Sequence, residues 1–141
     1  MSRNYNIRDQ EKLYFVTFTV VNWIEVFIRI EHDQIIFDML NYCIENKGLE
    51  VCAWCMMTNH VHLIIGSKGD NKLEDIGRDI KRHTSKSLLK AIIDNPKESR
   101  KDWMLWLFEG AGKRNPNNKY HQLWQQHSHP SELFNNFIIE R

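Results

Sequence analysis

The segment Asn59-His60-Val61-His62-Leu63-Ile64-Ile65 constrains this chain more than any other. On an extended strand, successive side chains point to opposite faces. Alternation sends Val61, Leu63 and Ile65 to one side and His60 and His62 to the other. This is the pattern of a sheet with one face buried and one open. Only Thr58-Asn59 separates the segment from a preceding run at 49–57 that is rich in apolar residues, so the two runs pair as a hairpin. Any fold for the chain has to place an antiparallel pair with two imidazoles on its polar face.

The rest of the chain supplies partners for that hairpin. Residues 13–21 are rich in β-branched and aromatic side chains and read as a strand. Tyr14, Val16, Phe18 and Val20 share one face of it, with Thr17 and Thr19 on the other. Residues 31–47 read as a helix: Ile35, Ile36, Met39, Leu40 and Cys43 recur at helical spacing, acids crowd the start, and Gly48 suits the position after the end. Residues 72–93 read as a second amphipathic helix, with Leu73, Ile76, Ile80, Thr84, Leu88 and Ile92 inside, and Asn95-Pro96 ends it. A third helical stretch covers 99–109, a loop 110–119, and a last strand 121–127. Ser131 resembles the N-cap of a further helix, and Tyr14, Tyr42, Trp103, Trp106 and Trp124 suit core or interface positions. Strand, helix, hairpin, helix, strand is the order of a ferredoxin-like α+β sandwich with an antiparallel sheet. At 141 residues it is a single domain, 1–141.

Two features carry chemistry. His60 and His62 lie about 6–7 Å apart along one strand face, a spacing from which two imidazoles can share a divalent ion. The commoner use of such alternation is simply two polar residues on a solvated face. On the second helix, Arg78, Arg82, Lys86 and Lys90 fall every four residues, with Lys81 and Ser85 beside the row. Like charges at that spacing repel, and Glu74 relieves only the first. An anion such as a nucleic-acid backbone along the row offsets the repulsion; a plainly solvated helix face is the alternative. Cys52 and Cys55 match CxxC, but on a strand they diverge and read as packing residues.

Charge leans the same way as the basic row. Residues 1–70 carry 6 Lys+Arg against 9 Asp+Glu, a net −3, whereas residues 71–141 carry 13 against 9, a net +4. That asymmetry suits a polyanion on the second half. The apolar runs are too short to span a membrane and the N-terminus has no signal-peptide core. Three cysteines with no oxidising-compartment signature suit a cytoplasmic protein with reduced thiols.

The residues Met56-Met57-Thr58-Asn59-His60-Val61-His62-Leu63-Ile64-Ile65 resemble the "NHVHL" strand of HUH-type single-tyrosine transposases, most of all the REP-associated tyrosine transposase branch. Leu13-Tyr14-Phe15-Val16-Thr17-Phe18-Thr19 is similar to that family's opening strand. The helix around residues 78–86 is similar to its basic helix, and Leu123-Trp124-Gln125 to its last strand. The resemblance implies the HUH endonuclease palm, with Mg²⁺ or Mn²⁺ at His60 and His62. It implies binding of single-stranded or hairpin DNA, and strand cleavage and rejoining through a 5′-phosphotyrosine, by proteins many of which act as homodimers. It also exposes a departure. The family's nucleophilic tyrosine lies on a helix after the Trp-Gln strand, with the third metal ligand nearby. No tyrosine follows Tyr120 here. The expectation is a C-terminally truncated member whose catalytic tyrosine belongs beyond Arg141. A non-catalytic DNA-binding module and a metal-binding α+β domain unrelated to DNA are the competing readings.

Overall fold

The computed structural model describes residues 13–114, 121–126 and 131–132. Its elements run β1 (Tyr14–Thr19), a short turn of 3-10 helix (Val21–Trp23), α1 (Ile30–Asn46), β2 (Leu49–Met56), β3 (His60–Ser67), α2 (Leu73–Asp94), α3 (Lys101–Lys113) and β4 (Ser131–Glu132). The sheet order is β2-β3-β1-β4, and every pairing is antiparallel. This is the ferredoxin-like arrangement: the hairpin β2–β3 lies beside β1, and the chain returns to the far edge at β4.

Alternation decides which face is buried. Tyr14, Val16 and Phe18 of β1 and Val61, Leu63 and Ile65 of β3 are all at most 4% exposed. They meet Ile36, Leu40 and Cys43 of α1 and Leu73, Ile76, Ile80, Leu88 and Ile92 of α2 in one core. Truncating a side chain such as Leu63 there costs about 2–5 kcal/mol through lost burial and the cavity left behind. The opposite face of β1 and β3 carries Phe15, Thr17, Thr19, His60, His62 and Ile64. Gly48 closes α1 with φ 74°, and a Cβ there would meet the Gly69 backbone nitrogen at 2.8 Å, so a larger residue is excluded twice over.

Several elements differ from the sequence reading. α3 continues through Gly110 to Lys113, because Phe108, Ala111 and Gly112 are buried and packing overrides the poor helix propensity of glycine. The last strand, expected over 121–127, is not a ladder over the described residues 121–126. One bridge joins Val20 to Trp124, and β4 pairs Ser131 with Phe15 and Glu132 with Tyr14. Ser131 is therefore a strand residue rather than a helix cap; the free edge of β1 claims its backbone. Tyr42, Trp103 and Trp106 are 52%, 53% and 71% exposed, so their helical phase does not reach the core, whereas Trp124 is buried. Cys52 and Cys55 are exposed, not packed; the strand register shifts between Val51 and Ala53, at Cys52. The sequence also repeats the His-x-His pattern at His127-Ser128-His129; this stretch and the expected C-terminal helix fall outside the described residues.

Candidate metal and nucleic-acid site

β3 delivers His60 and His62 to the open face, opposite Thr19 and Thr17 of β1. Their ring centroids are 4.6 Å apart, with planes at 75°. The rings are closer than the spacing along the strand alone dictates, because they tilt toward each other. Each is held by its Nδ1. For His60, Nδ1 lies 2.6 Å from the Asn59 side-chain oxygen. The Asn59 amide nitrogen donates to the Trp23 carbonyl at 3.3 Å, which settles which end of that amide faces the ring. A carbonyl oxygen only accepts, so His60 carries its proton on Nδ1 and presents Nε2 as a free lone pair. For His62, Nδ1 meets the Thr17 hydroxyl at 2.9 Å, and Phe15 stacks on the ring at 5.3 Å. Burial first, and then the neighbouring His62, push the His60 pKa below its usual value. The ring thus stays neutral at neutral pH, the form in which an imidazole ligates.

This donor set fits a divalent cation. Asn59 and Thr17 hold the two imidazoles through Nδ1, and Asn59 sets the His60 tautomer, the kind of support by which metal-binding histidines are oriented. Among the described residues no third His, Cys, Asp or Glu joins them in a group that could hold a metal ion. The sequence showed the pair but not Asn59 and Thr17 as its supports. The two-residue hairpin loop and the β1–β3 register are the signals that locate them.

The basic residues of α2 are elsewhere. Arg78, Arg82, Lys86 and Lys90 are exposed on the side of the helix turned away from the core, hence away from the histidine face. Most are paired: Arg78 with Asp75, Arg82 with Asp79 at 2.9 Å, and Lys90 with Asp94 at 2.6 Å. Asp79 also holds Lys47, just past the end of α1, at 2.6 Å, and these cations keep its carboxyl below the usual range, Lys47 foremost. The repulsion expected along the row is thus relieved by acids one turn away, not by Glu74 alone. Thr84 faces inward, donating to the Ile80 carbonyl at 2.6 Å and accepting from the Trp124 indole at 3.0 Å. Ser85 is half-buried.

Lys81 leaves the row. Its amine reaches over the Phe18 ring, 5.3 Å from the centroid, to the Gln125 carbonyl at 3.2 Å. Burial pushes its pKa down to about 8. Gln125 in turn donates its backbone N–H to Thr19 at 2.7 Å. Because Thr19 pairs with His60, Lys81 marks the sheet edge between the histidine face and the helix layer.

Comparison with known proteins agrees with this architecture. The family model "Transposase IS200 like" matches residues 12–107. The chain belongs to the IS200-like transposase family. Among solved structures it is similar to a REP-associated tyrosine transposase bound to a REP hairpin, with TM-score 0.64 and 15% identity over 99% of this chain and 67% of that one. It is also similar to a putative transposase from Deinococcus radiodurans R1, with TM-score 0.57 and 16% identity over 99% of this chain and 90% of that one. At such identities the likeness is one of fold, and it places this IS200-like chain on the transposase palm. No curated protein matches the chain. No helix among the described residues is long and apolar enough to cross a membrane.

Proposed function

We propose that this protein binds single-stranded or hairpin DNA on the transposase palm and brings a phosphate to a divalent cation, Mg²⁺ or Mn²⁺, held by His60 and His62. The observation that carries the reading is the pair itself: two imidazoles on one open strand face, each fixed through Nδ1. A bound cation there supplies charge to polarise a phosphoryl oxygen. The chain's own residues do the rest. Asn59 and Thr17 hold the rings, and the depressed His60 pKa keeps that ring unprotonated. Arg78, Lys81, Arg82, Ser85, Lys86 and Lys90 are the proposed backbone contacts. Because the α2 cations lie behind the sheet, a strand touching both sets can pass around the edge where Lys81 sits. A second copy of the chain, as in a homodimer, is compatible with this geometry.

Strand cleavage needs a nucleophile, and the described tyrosines do not face the histidines. Tyr14 is buried in the core and Tyr42 is on α1. Covalent chemistry by this chain would therefore use a tyrosine outside the described residues. The alternative reading, a DNA-binding module without cleavage, is favoured by that same observation.

The test incubates the full chain with a hairpin oligonucleotide carrying a single-stranded flank, with and without Mn²⁺. Salt-sensitive binding that prefers the flanked hairpin to blunt duplex is expected. No binding even at low salt would overturn the proposal. A covalent protein–DNA adduct, mapped by mass spectrometry to Tyr5 or Tyr120, would decide for cleavage over the non-catalytic module.

A further inference from the structure

An open cleft of about 330 Å³ lies where the turn Val21–Trp23, the last turn of α3 and the segment 121–126 meet. Its lining is polar: Asn22, Gln125 and Gln126 are carboxamide residues and Arg114 carries a guanidinium, beside the buried Val21, while the Gln122 amide already donates to the Trp124 carbonyl at 2.9 Å. We propose that this cleft reads one unpaired nucleobase of the bound DNA strand. The proposal rests on the palm being a DNA surface and names the place where base identity is sensed.

Three observations carry it. The first is donor and acceptor chemistry. A carboxamide offers a donor and an acceptor side by side, the pairing that base edges present, and a guanidinium offers a donor fork suited to guanine. Phosphates carry no base information, and the α2 cations are proposed here as phosphate contacts. The second is rigidity. Val21 donates to the Leu123 carbonyl at 2.8 Å, Gln122 to Phe108 at 3.0 Å and Gln125 to Thr19 at 2.7 Å, so backbone bonds tie the three walls together. Asn22 stands at φ 55°, a left-handed conformation that asparagine tolerates better than most residues. A site that discriminates must hold its polar groups in place. The third is position. Gln125 is joined to Thr19, the partner of His60, and accepts from Lys81. The cleft therefore lies beside the histidine face, at a sheet edge where a strand can reach both the histidines and α2. At the small end of the ~300–1,000 Å³ range of ligand sites, it takes a single base and not a duplex. A base that is out of its stack shows the edge that such a site can read.

The experiment measures fluorescence-anisotropy binding of the full chain to hairpins whose single-stranded flank carries dA, dC, dG, dT or an abasic site at one position at a time. At one flank position the best and worst bases should differ by about tenfold, the discrimination of one good bidentate contact. Arg114→Ala combined with Gln126→Ala should reduce that difference to about twofold or less while the hairpin is still bound. Gln126→Glu, which keeps size and removes the donor, should move the preference toward dC. If the hairpin binds but no position discriminates, or if the variants leave discrimination unchanged, the cleft is not the reader and the DNA-binding reading stands. If no oligonucleotide binds at low salt, both fall.

Discussion

The two polar surfaces of the molecule use their side chains in opposite ways. On the open sheet face, His60 and His62 are pinned through one ring nitrogen each, and His60 is left with the other free. On α2, Arg78, Arg82 and Lys90 are already satisfied by Asp75, Asp79 and Asp94. The first surface has unspent binding capacity held in place by a strand register. The second has charge that its own helix largely cancels. A periodic row of cations is therefore a weaker sign of a ligand than two fixed, half-satisfied imidazoles, even though both stand out equally in a sequence.

The largest expected effect tests the sheet side of this contrast. His60→Ala with His62→Ala should lower Mn²⁺ affinity by more than about a hundredfold, beyond what loss of an outer-shell partner causes. Arg78→Ala with Arg82→Ala should leave it unchanged. Titration calorimetry reads both, and equal losses in the two variants would erase the distinction. Next comes the support beneath the pair. Asn59→Ala removes the acceptor that fixes the His60 tautomer and should weaken Mn²⁺ binding by about 10–100-fold. Asn59→Asp, which keeps an acceptor at that place, should restore most of it.

A third prediction sharpens what pairing is worth when it is buried. Glu98 is 5% exposed and accepts from Arg29 Nε at 2.9 Å and Arg100 Nη2 at 3.3 Å. The Arg29 hydrogen bond, with help from Arg100, holds its carboxyl at about 2 instead of 4.5. The folded value lies below the unfolded one, so the carboxylate stabilises the fold fully above pH ~4.5 and this is lost as pH falls toward 2. The arginine side chains are 30% and 27% exposed, so solvent screens the pair and the contribution is about 1–2 kcal/mol. Urea unfolding from pH 6 down to pH 2 should show that loss in the wild type and a flatter profile in Glu98→Gln.

How much of this was legible in the sequence follows from period and distance. The period-2 pattern of β1 and β3 fixed the faces, so Val61, Leu63 and Ile65 are buried and His60 and His62 share the open side, as read. The inner positions of α2 were legible for the same reason. What failed depends on neighbours the sequence does not place. Tyr42, Trp103 and Trp106 keep helical phase, but no described element covers them. Lys81 sits one residue from Arg82, yet its long stem reaches the sheet edge because Phe18 and Gln125 are there. Asp75 and Asp79 were visible as residues, but their side chains swing to i+3 partners, a choice of rotamer rather than of sequence. Asn59 and Thr17 became recognisable as supports only once the register put them beside the rings.

The smallest effect is the most direct test of the α2 side. Asp75 pairs only within its own helix in the contacts described, with Arg78, whereas Asp79 also ties α2 to Lys47 at the end of α1. Asp75→Asn is therefore the cleaner way to release a cation. Exposed pairs of this kind contribute between nothing and about 1 kcal/mol, so the thermal midpoint should barely move. If α2 lies along a DNA backbone, the freed Arg78 should raise hairpin affinity a few-fold at low salt. It should also steepen the slope of log affinity against log salt by about 1, the signature of one added phosphate contact. Removing any acid raises net charge, so Glu31→Gln on α1 is the matched control and should change the slope less. Identical slopes in the two variants would mean that the gain is general charge, and that the DNA path runs along the histidine face and the sheet edge without α2.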